Sequence, residues 1–329
     1  MVFGRRRGRT YSLDAFECLD IREHILEGGE FNQLTLAALI KDALSRNRIK
    51  ARRAVISFPV KFPWIRVLEM PSVPKKEMGR MVRLEVERLY LDSTVEKLID
   101  YFPLETVYDD EGNAIVKVLS CAMPRNLVLP YVELMVAAGL ELVGIDLAET
   151  NVLKLAAMQS AEFGDGIALV LNFSLESTDL MVMENNMLQL VRKVGQGKRQ
   201  IREVLERTLP VDSKARDELG LSDFILPKEH QALTEGYIKG LLDEIRLSVE
   251  FYLTDIKKGE GTVKRVVLAG SGYWPANLSE LLAMQLHVPL IDLRFENLAN
   301  VSCQATFRPE FPACGVYAPA LGSVLRGVA

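Results

Sequence analysis

At 329 residues the chain has room for about two domains, and its 49% hydrophobic, 26% charged and 7% aromatic content excludes a collagen-like or disordered chain. The 40 Lys and Arg against 44 Asp and Glu leave a formal charge of −4, so no overall positive field recruits nucleic acid or an anionic membrane. Four cysteines without a C-x-x-C pair, and three histidines without a partner at ligand spacing, argue against a disulfide framework, a zinc ribbon or a first-row metal centre.

Residues 1–10 hold Arg5, Arg6, Arg7 and Arg9 between glycines, which predicts a mobile, solvated basic tail. The other reading is contact with anionic lipid, at about 1 kcal/mol per basic residue. The stretch lacks an apolar segment and does not read as a secretory signal. A strand follows over residues 11–19. After the Gly28-Gly29 break a helix starts from Asn32, which serves as N-cap, with Leu36, Ile40, Ala43 and Leu44 on one face. Residues 54–58 read as a short strand before Pro59, and residues 65–68 as another before Pro71 and Pro74. A helix over residues 75–91 places Met78, Met81, Val82, Glu85 and Leu89 on one surface.

Residues 101–106 and 114–121 read as an antiparallel pair around the Gly-containing turn 109–113. The helix over 125–138 closes on Gly139. The most apolar window, 127–144, carries Glu133 and Glu141 and falls short of the ~20 uninterrupted apolar residues of a membrane span. Residues 60–140 thus read as a β-α-β-β-α module inserted in a larger α/β unit.

In the second half, strands are expected over 166–171, 179–183 and 188–194, the last two joined at Asn185-Asn186, a pair tolerant of positive φ. The register of Ile238, Leu241, Leu242, Ile245, Val249 and Tyr252 predicts a long helix from residue 234. A strand over 265–269 leads through Gly270-Ser271-Gly272-Tyr273 into a helix beginning at Pro275.

Strand, glycine loop and helix together offer backbone amides to a phosphate or an adenosine ribose, and Gly270 and Gly272 permit close approach; a purely structural turn is the other reading. The polar loop 172–178 is a second candidate, but it has no glycine, and Glu176 at its tip repels phosphate. Glu149 sits at a strand-to-helix corner, where it either orients a water or a metal hydrate or stabilises the first helical turn by about 0.3–1 kcal/mol. No Walker A, G-x-S-x-G or G-x-G-x-x-G motif is present.

Val55-Ile56-Ser57-Phe58-Pro59, Met70-Pro71-Ser72-Val73-Pro74-Lys75-Lys76-Glu77-Met78 and Arg83-Leu84-Glu85-Val86-Glu87-Arg88 resemble the corresponding region of the PilM family, the actin-like, FtsA-related assembly proteins of type IV pili. The likeness continues at Tyr131-Val132-Glu133-Leu134, at Glu244-Ile245-Arg246-Leu247-Ser248-Val249-Glu250-Phe251-Tyr252, at Leu268-Ala269-Gly270-Ser271-Gly272 and at Ala318-Pro319-Ala320-Leu321-Gly322. It covers about residues 11–328.

This resemblance implies an α/β, actin-like (ribonuclease H-like) two-lobed fold. Residues 1–59 and 141–163 would form the first lobe, 60–140 an inserted FtsA-type subdomain, and 164–329 the second lobe with 198–264 as its helical part. It also implies ATP and magnesium between the lobes, and a groove in the inserted subdomain for the short cytosolic N-terminal peptide of the membrane protein PilN. Trp64, Ile65, Val67, Met78, Met81 and Leu84 are the groove candidates, Met side chains adapting well to a partner; the other reading makes them module core. Such a protein is cytoplasmic and peripheral at the inner membrane through its partner, with self-association left open.

The departures from the family pattern fall on the nucleotide turns. Ten residues before Tyr11 are too few for the family's first strand, phosphate loop and second strand, so that turn is expected to be missing. In the second phosphate turn Asn172 replaces the metal-side Asp and Ser174 the glycine, leaving Ser177 and Thr178 in pattern. The adenosine turn keeps Gly270 and Gly272 but has Ser271 between them and Tyr273 after. The resemblance therefore implies a non-hydrolysing scaffold with a degenerate nucleotide site, the alternative being an active ATPase.

Overall fold

The computed structural model describes residues 1–7, 10–19, 21, 24, 31–58, 64–90, 94–159, 166–197, 199–200, 203, 225–226, 235–270, 274–275, 278–293, 301–303 and 317–325. The chain forms two compact units. One holds Met1–Leu147 with Ser302–Ala305 and Ser323–Arg326, the other Ala148–Val301 with Thr306–Gly322 and Gly327–Ala329.

In the first unit β1 (Val2–Arg7) runs antiparallel to β2 (Thr10–Phe16), and the short strand Val301–Cys303 lies on the far side of β2. The basic start is thus a strand, which corrects the expectation of a mobile tail. Arg5 donates to the Asp14 carboxylate at 2.8 and 3.1 Å, and the Arg6 guanidinium stands 5.8 Å over the Tyr11 ring. A run of arginines carries no apolar alternation, so its strand character comes from the backbone ladder and counter-charge of β2.

α1 (Gln33–Arg46) is capped by Asn32, whose side-chain oxygen accepts from the Thr35 amide at 3.1 Å. β3 (Arg53–Phe58) pairs in parallel with β7 (Glu141–Leu147). α3 (Arg125–Ala137) packs on α1 through Leu36, Ala37, Leu134, Met135 and Ala138. The Tyr131 ring of α3 meets Phe31 and Phe58 edge-on at 4.9 and 4.8 Å, and Gly139 takes a φ of +74° just past the helix end.

Between β3 and α3 the chain builds a three-stranded antiparallel sheet in the order β4 (Trp64–Pro71), β6 (Ala114–Pro124), β5 (Lys97–Tyr108), with α2 (Lys75–Leu89) against one face. β5 extends past its expected ends and contains Pro103. It tolerates the missing N–H because it is an edge strand with a register shift between Pro103 and Glu105. The β5–β6 turn is held by Asp109, whose Oδ1 accepts from the Glu111 and Asn113 amides at 3.0 and 2.7 Å, while Gly112 supplies a φ of +82°. On α2 the buried stripe is Met78, Val82 and Val86, so Leu89, expected on the same surface, is exposed.

The second unit begins with α4 (Ala148–Met158). Its sheet is built on β8 (Ile167–Phe173), β9 (Thr178–Glu184) and β10 (Met187–Val194), with α5 (Glu235–Phe251) against one face. Asn185 and Asn186 turn β9 into β10 with φ of +49° and +65°, the primed geometry that matches strand twist. α5 covers the sheet with Ile238, Leu241, Ile245 and Val249 and runs into a π turn, Tyr252–Ile256. A two-residue strand β11 (Ile225–Leu226) precedes α5. After it come β12 (Val263–Gly270), β13 (Trp274–Pro275), α6 (Leu278–Leu286) and β14 (Leu290–Asp292). Pro275, expected to open a helix, instead belongs to β13, which pairs in parallel with β11.

The main sheet runs β10-β9-β8-β12-β14, with the first three strands antiparallel and β12 and β14 parallel to β8. An antiparallel meander continued by parallel strands on the far side of its first member is the ribonuclease H-like sheet of an actin-like lobe. α7 (Ala318–Val324) is the last described helix.

Candidate functional site

The face of this sheet away from α5 carries polar residues where a buried sheet is normally apolar. Asn172 on β8, Asp179 on β9 and Lys193 on β10 lie in one cross-strand row. The Asn172 amide donates to Asp179 Oδ2 at 2.9 Å, and the Lys193 ammonium donates to Asp179 Oδ1. From α4, Glu149 completes the group by accepting from Lys193 Nζ at 3.0 Å. Glu149 is 2% exposed, and its second oxygen, Oε2, has no hydrogen-bond partner among the described residues.

Burial pushes the Glu149 carboxyl up to about 7, with the Asp179 charge adding to the rise and Lys193 opposing it. Burial by itself would lower Lys193, but Asp179 and Glu149 outweigh it and hold the ammonium above its ordinary range. Glu149 is therefore more than a helix-end charge: it is the second carboxylate of a buried ion cluster. Lys193 and Asp179 stand out in no sequence motif. Their meeting depends on strand register, which the residues alone leave open.

In the turn after β8, Ser174 spends its donors inside the protein. The Ser174 amide and hydroxyl both donate to the Ser177 carbonyl, at 2.9 and 2.7 Å. Ser177 Oγ lies 3.5 Å from Lys193 Nζ, and Thr178 Oγ1 donates to the Gln196 carbonyl at 2.7 Å. The chain leaving β10 covers the turn: the Arg199 amide donates to the Leu175 carbonyl at 2.9 Å, and Arg199 pairs with Glu176. A Cβ at Gly197 would stand 2.3 Å from the Ser177 amide nitrogen, so only glycine lets the two segments pass.

Of the glycine loop, Gly270 is described, with a φ of +110° beside Phe173 on β8; Ser271, Gly272 and Tyr273 lie outside the described residues. Asn172, Ser174, Ser177 and Thr178 are thus brought together with Asp179, Lys193 and Glu149. Among the described residues no three His, Cys, Asp or Glu side chains converge as a metal centre.

The six groove candidates do not share a surface. Trp64 and Met81 pack against the cluster between α2 and the sheet, and Met78 is buried within it. Ile65 and Val67 alternate to the sheet's other face, as strand geometry requires. Leu84 stands on the exposed side of α2. That other sheet face carries the row Val67, Leu119, Phe102, with Leu98 nearby on the same strand as Phe102, and Phe102 and Leu98 are 57% and 45% exposed. No helix among the described residues is long and apolar enough to cross a membrane.

A family profile described as type IV pilus assembly protein PilM matches residues 1–312. The chain belongs to the PilM family. A chain of the PilM–PilN type IV pilus biogenesis complex superposes with a TM-score of 0.79 at 25% identity, covering 100% of this chain and 95% of that one. Less similar are MreB5 of Spiroplasma citri bound to ADP (TM-score 0.45, 10% identity, 92% and 78% coverage) and an archaeal actin homologue in complex with ADP (0.40, 14%, 87% and 75%). No curated protein matches the chain in sequence. Of the polar row, Asn172 is the residue that also opens the loop 172–178, where the resemblance implies the second phosphate turn.

Proposed function

We propose that this PilM-family chain is a cytoplasmic scaffold of type IV pilus assembly, held at the inner membrane face by the cytosolic tail of a PilN-like membrane protein, and that it does not turn over nucleotide. The likeness of the whole chain to a chain of the PilM–PilN complex carries the partner half of this reading. The inserted-module reading of residues 60–140 supplies the docking surface. An extended peptide recognises pockets for alternate side chains, and exposed Phe102 and Leu98, with half-buried Val67 and Leu119 in the same row, offer such apolar surface.

The nucleotide half rests on donors. Magnesium triphosphate needs free amides in the turn and a carboxylate free to hold the metal's waters. Here Ser174 is spent on Ser177, residue 172 is Asn, and both oxygens of Asp179 are engaged. The residues present do not fit the group.

Titrating the chain with MgATP by calorimetry and thermal shift is expected to give no saturable heat and no stabilisation. Ligand at 100 times its Kd would add ~2.7 kcal/mol, and such a shift overturns the loss of nucleotide affinity; phosphate release from the bound ATP would then establish the ATPase reading. Phe102→Asp is expected to abolish capture of a PilN-like N-terminal peptide with the melting temperature unchanged, because the ring is 57% exposed. Met81→Asp disturbs the module's core as well, so it is expected to lower both. Normal capture by Phe102→Asp moves the docking site off this face.

A further inference from the structure

An ammonium group lies between two buried carboxylates of the second unit, with a hydroxyl beside it. Lys193 Nζ donates to Asp179 and, at 3.0 Å, to Glu149, with Ser177 Oγ at 3.5 Å. Carboxylates and a hydroxyl are the donors that hard divalent cations choose. One oxygen of this set is spare: Glu149 Oε2 is buried, in a residue 2% exposed, and has no partner among the described residues. A side chain that brings two carboxylates out of water and leaves one oxygen unsatisfied is a donor set larger than its ammonium requires.

We infer that the Lys193 ammonium is a chain-borne counter-ion that masks a divalent-cation site formed by Asp179, Glu149 and Ser177, and that it keeps this turn closed to divalent metal. The inference deepens the reading of a nucleotide turn that has lost its ligand, by naming what took the cation's place. The cation is tethered to β10, so it is present at full occupancy in every molecule, and a free divalent ion has to displace it against like-charge repulsion. The charged groups facing Lys193 are Asp179 from β9 and Glu149 from α4, and Ser177 is the polar group from the turn. Asn172 holds the remaining Asp179 oxygen at 2.9 Å, which orients the carboxylate towards the ammonium.

The test is Mn²⁺ titration of the full chain without nucleotide, read by loss of the free-ion electron paramagnetic resonance signal. Lys193→Met keeps the apolar stem and removes the charge. It is expected to gain one equivalent of bound Mn²⁺ at least roughly tenfold tighter than any site of the wild-type chain, and the double variant Lys193→Met/Asp179→Asn is expected to lose it. Two results overturn the inference: a wild-type equivalent that Asp179→Asn removes, or a folded Lys193→Met that takes up no more Mn²⁺ than wild type.

If Lys193→Met lacks native circular dichroism in metal-free buffer, the titration is read as recovery of that signal, with Lys193→Gln in parallel. Recovery supports the inference, and its absence in a variant that stays unfolded overturns it. A wild-type chain that binds ATP but no Mn²⁺ refutes the loss of nucleotide grip and leaves this inference standing.

Discussion

Lys193→Met is expected to destabilise the chain by about 3–5 kcal/mol at pH 8, the cost of removing one member of a buried ion cluster and leaving its partners uncompensated. Asp179 and Glu149 are both buried, so water does not repair the loss. Glu149→Gln is expected to behave in the opposite way. Its folded value of about 7 lies above the ordinary 4.5, so between these two values the folded state binds the proton more tightly than the unfolded chain. The contribution of Glu149 to stability therefore falls as pH rises from about 4.5, and its penalty is complete above about 7.

Lys193, raised above its ordinary 10.5, contributes stability that is fully present below that value and lost as pH rises through the folded one. Removing the Glu149 charge should flatten the urea midpoint between about pH 5 and 7, leave the chain at least as stable as wild type at pH 8, and recover part of the Lys193→Met loss in the double variant. Urea unfolding across pH checks all three. A Glu149→Gln chain as weak at pH 8 as Lys193→Met would show that Glu149 is a net stabiliser, contrary to this account.

Gly270→Ala is expected to cost on the order of 4 kcal/mol or more, enough to remove most of a typical domain's stability. Two separate effects add. The φ of +110° is strained for any residue with a side chain, worth about 1–3 kcal/mol. Its new Cβ would also lie 2.2 Å from the Phe173 carbonyl oxygen, and that oxygen belongs to backbone in the β8–β12 ladder and cannot swing aside. Gly259, with a φ of +84° and open space around it, isolates the first effect, so Gly259→Ala should cost about 1 kcal/mol. Gly195, with neither feature, should tolerate alanine to within about 0.5 kcal/mol. Equal unfolding midpoints for Gly270→Ala and Gly259→Ala would remove the close approach from the explanation.

The same loop illustrates what one residue reveals in sequence. A glycine at the end of an apolar strand marks close approach, and at Gly270 the neighbour is the protein's own backbone, Phe173. A ligand and a strand are indistinguishable from the residue type.

Local chemistry was legible wherever one segment contains its own cause. Asn32 caps α1, Asn185 and Asn186 turn β9 into β10, Gly112 and Asp109 make the β5–β6 turn, and the 3.6-residue register of α5 predicts its buried face. Ordered motifs along the chain carried the family resemblance and the fold. What the residues could not give was anything decided by a partner segment. β1 looked like a solvated tail because its ladder is supplied by β2. Trp64 and Ile65 are neighbours in sequence and face opposite sides of the sheet, so an apolar run became two surfaces.

The ion cluster shows the limit best. Extending the register of the Asn185-Asn186 turn without interruption would set Lys193 opposite Thr178; an irregularity between Leu188 and Leu190 shifts the pairing by one residue and sets it opposite Asp179. A one-residue shift exchanges the two faces of a strand, so that irregularity decides whether the ammonium meets two carboxylates or none. Sequence thus determined the family and those elements, such as α1, α5 and the β9–β10 turn, whose cause lies in neighbours along the chain. Tertiary structure alone decided which charges meet, because that depends on register between strands, which residue type and spacing do not encode.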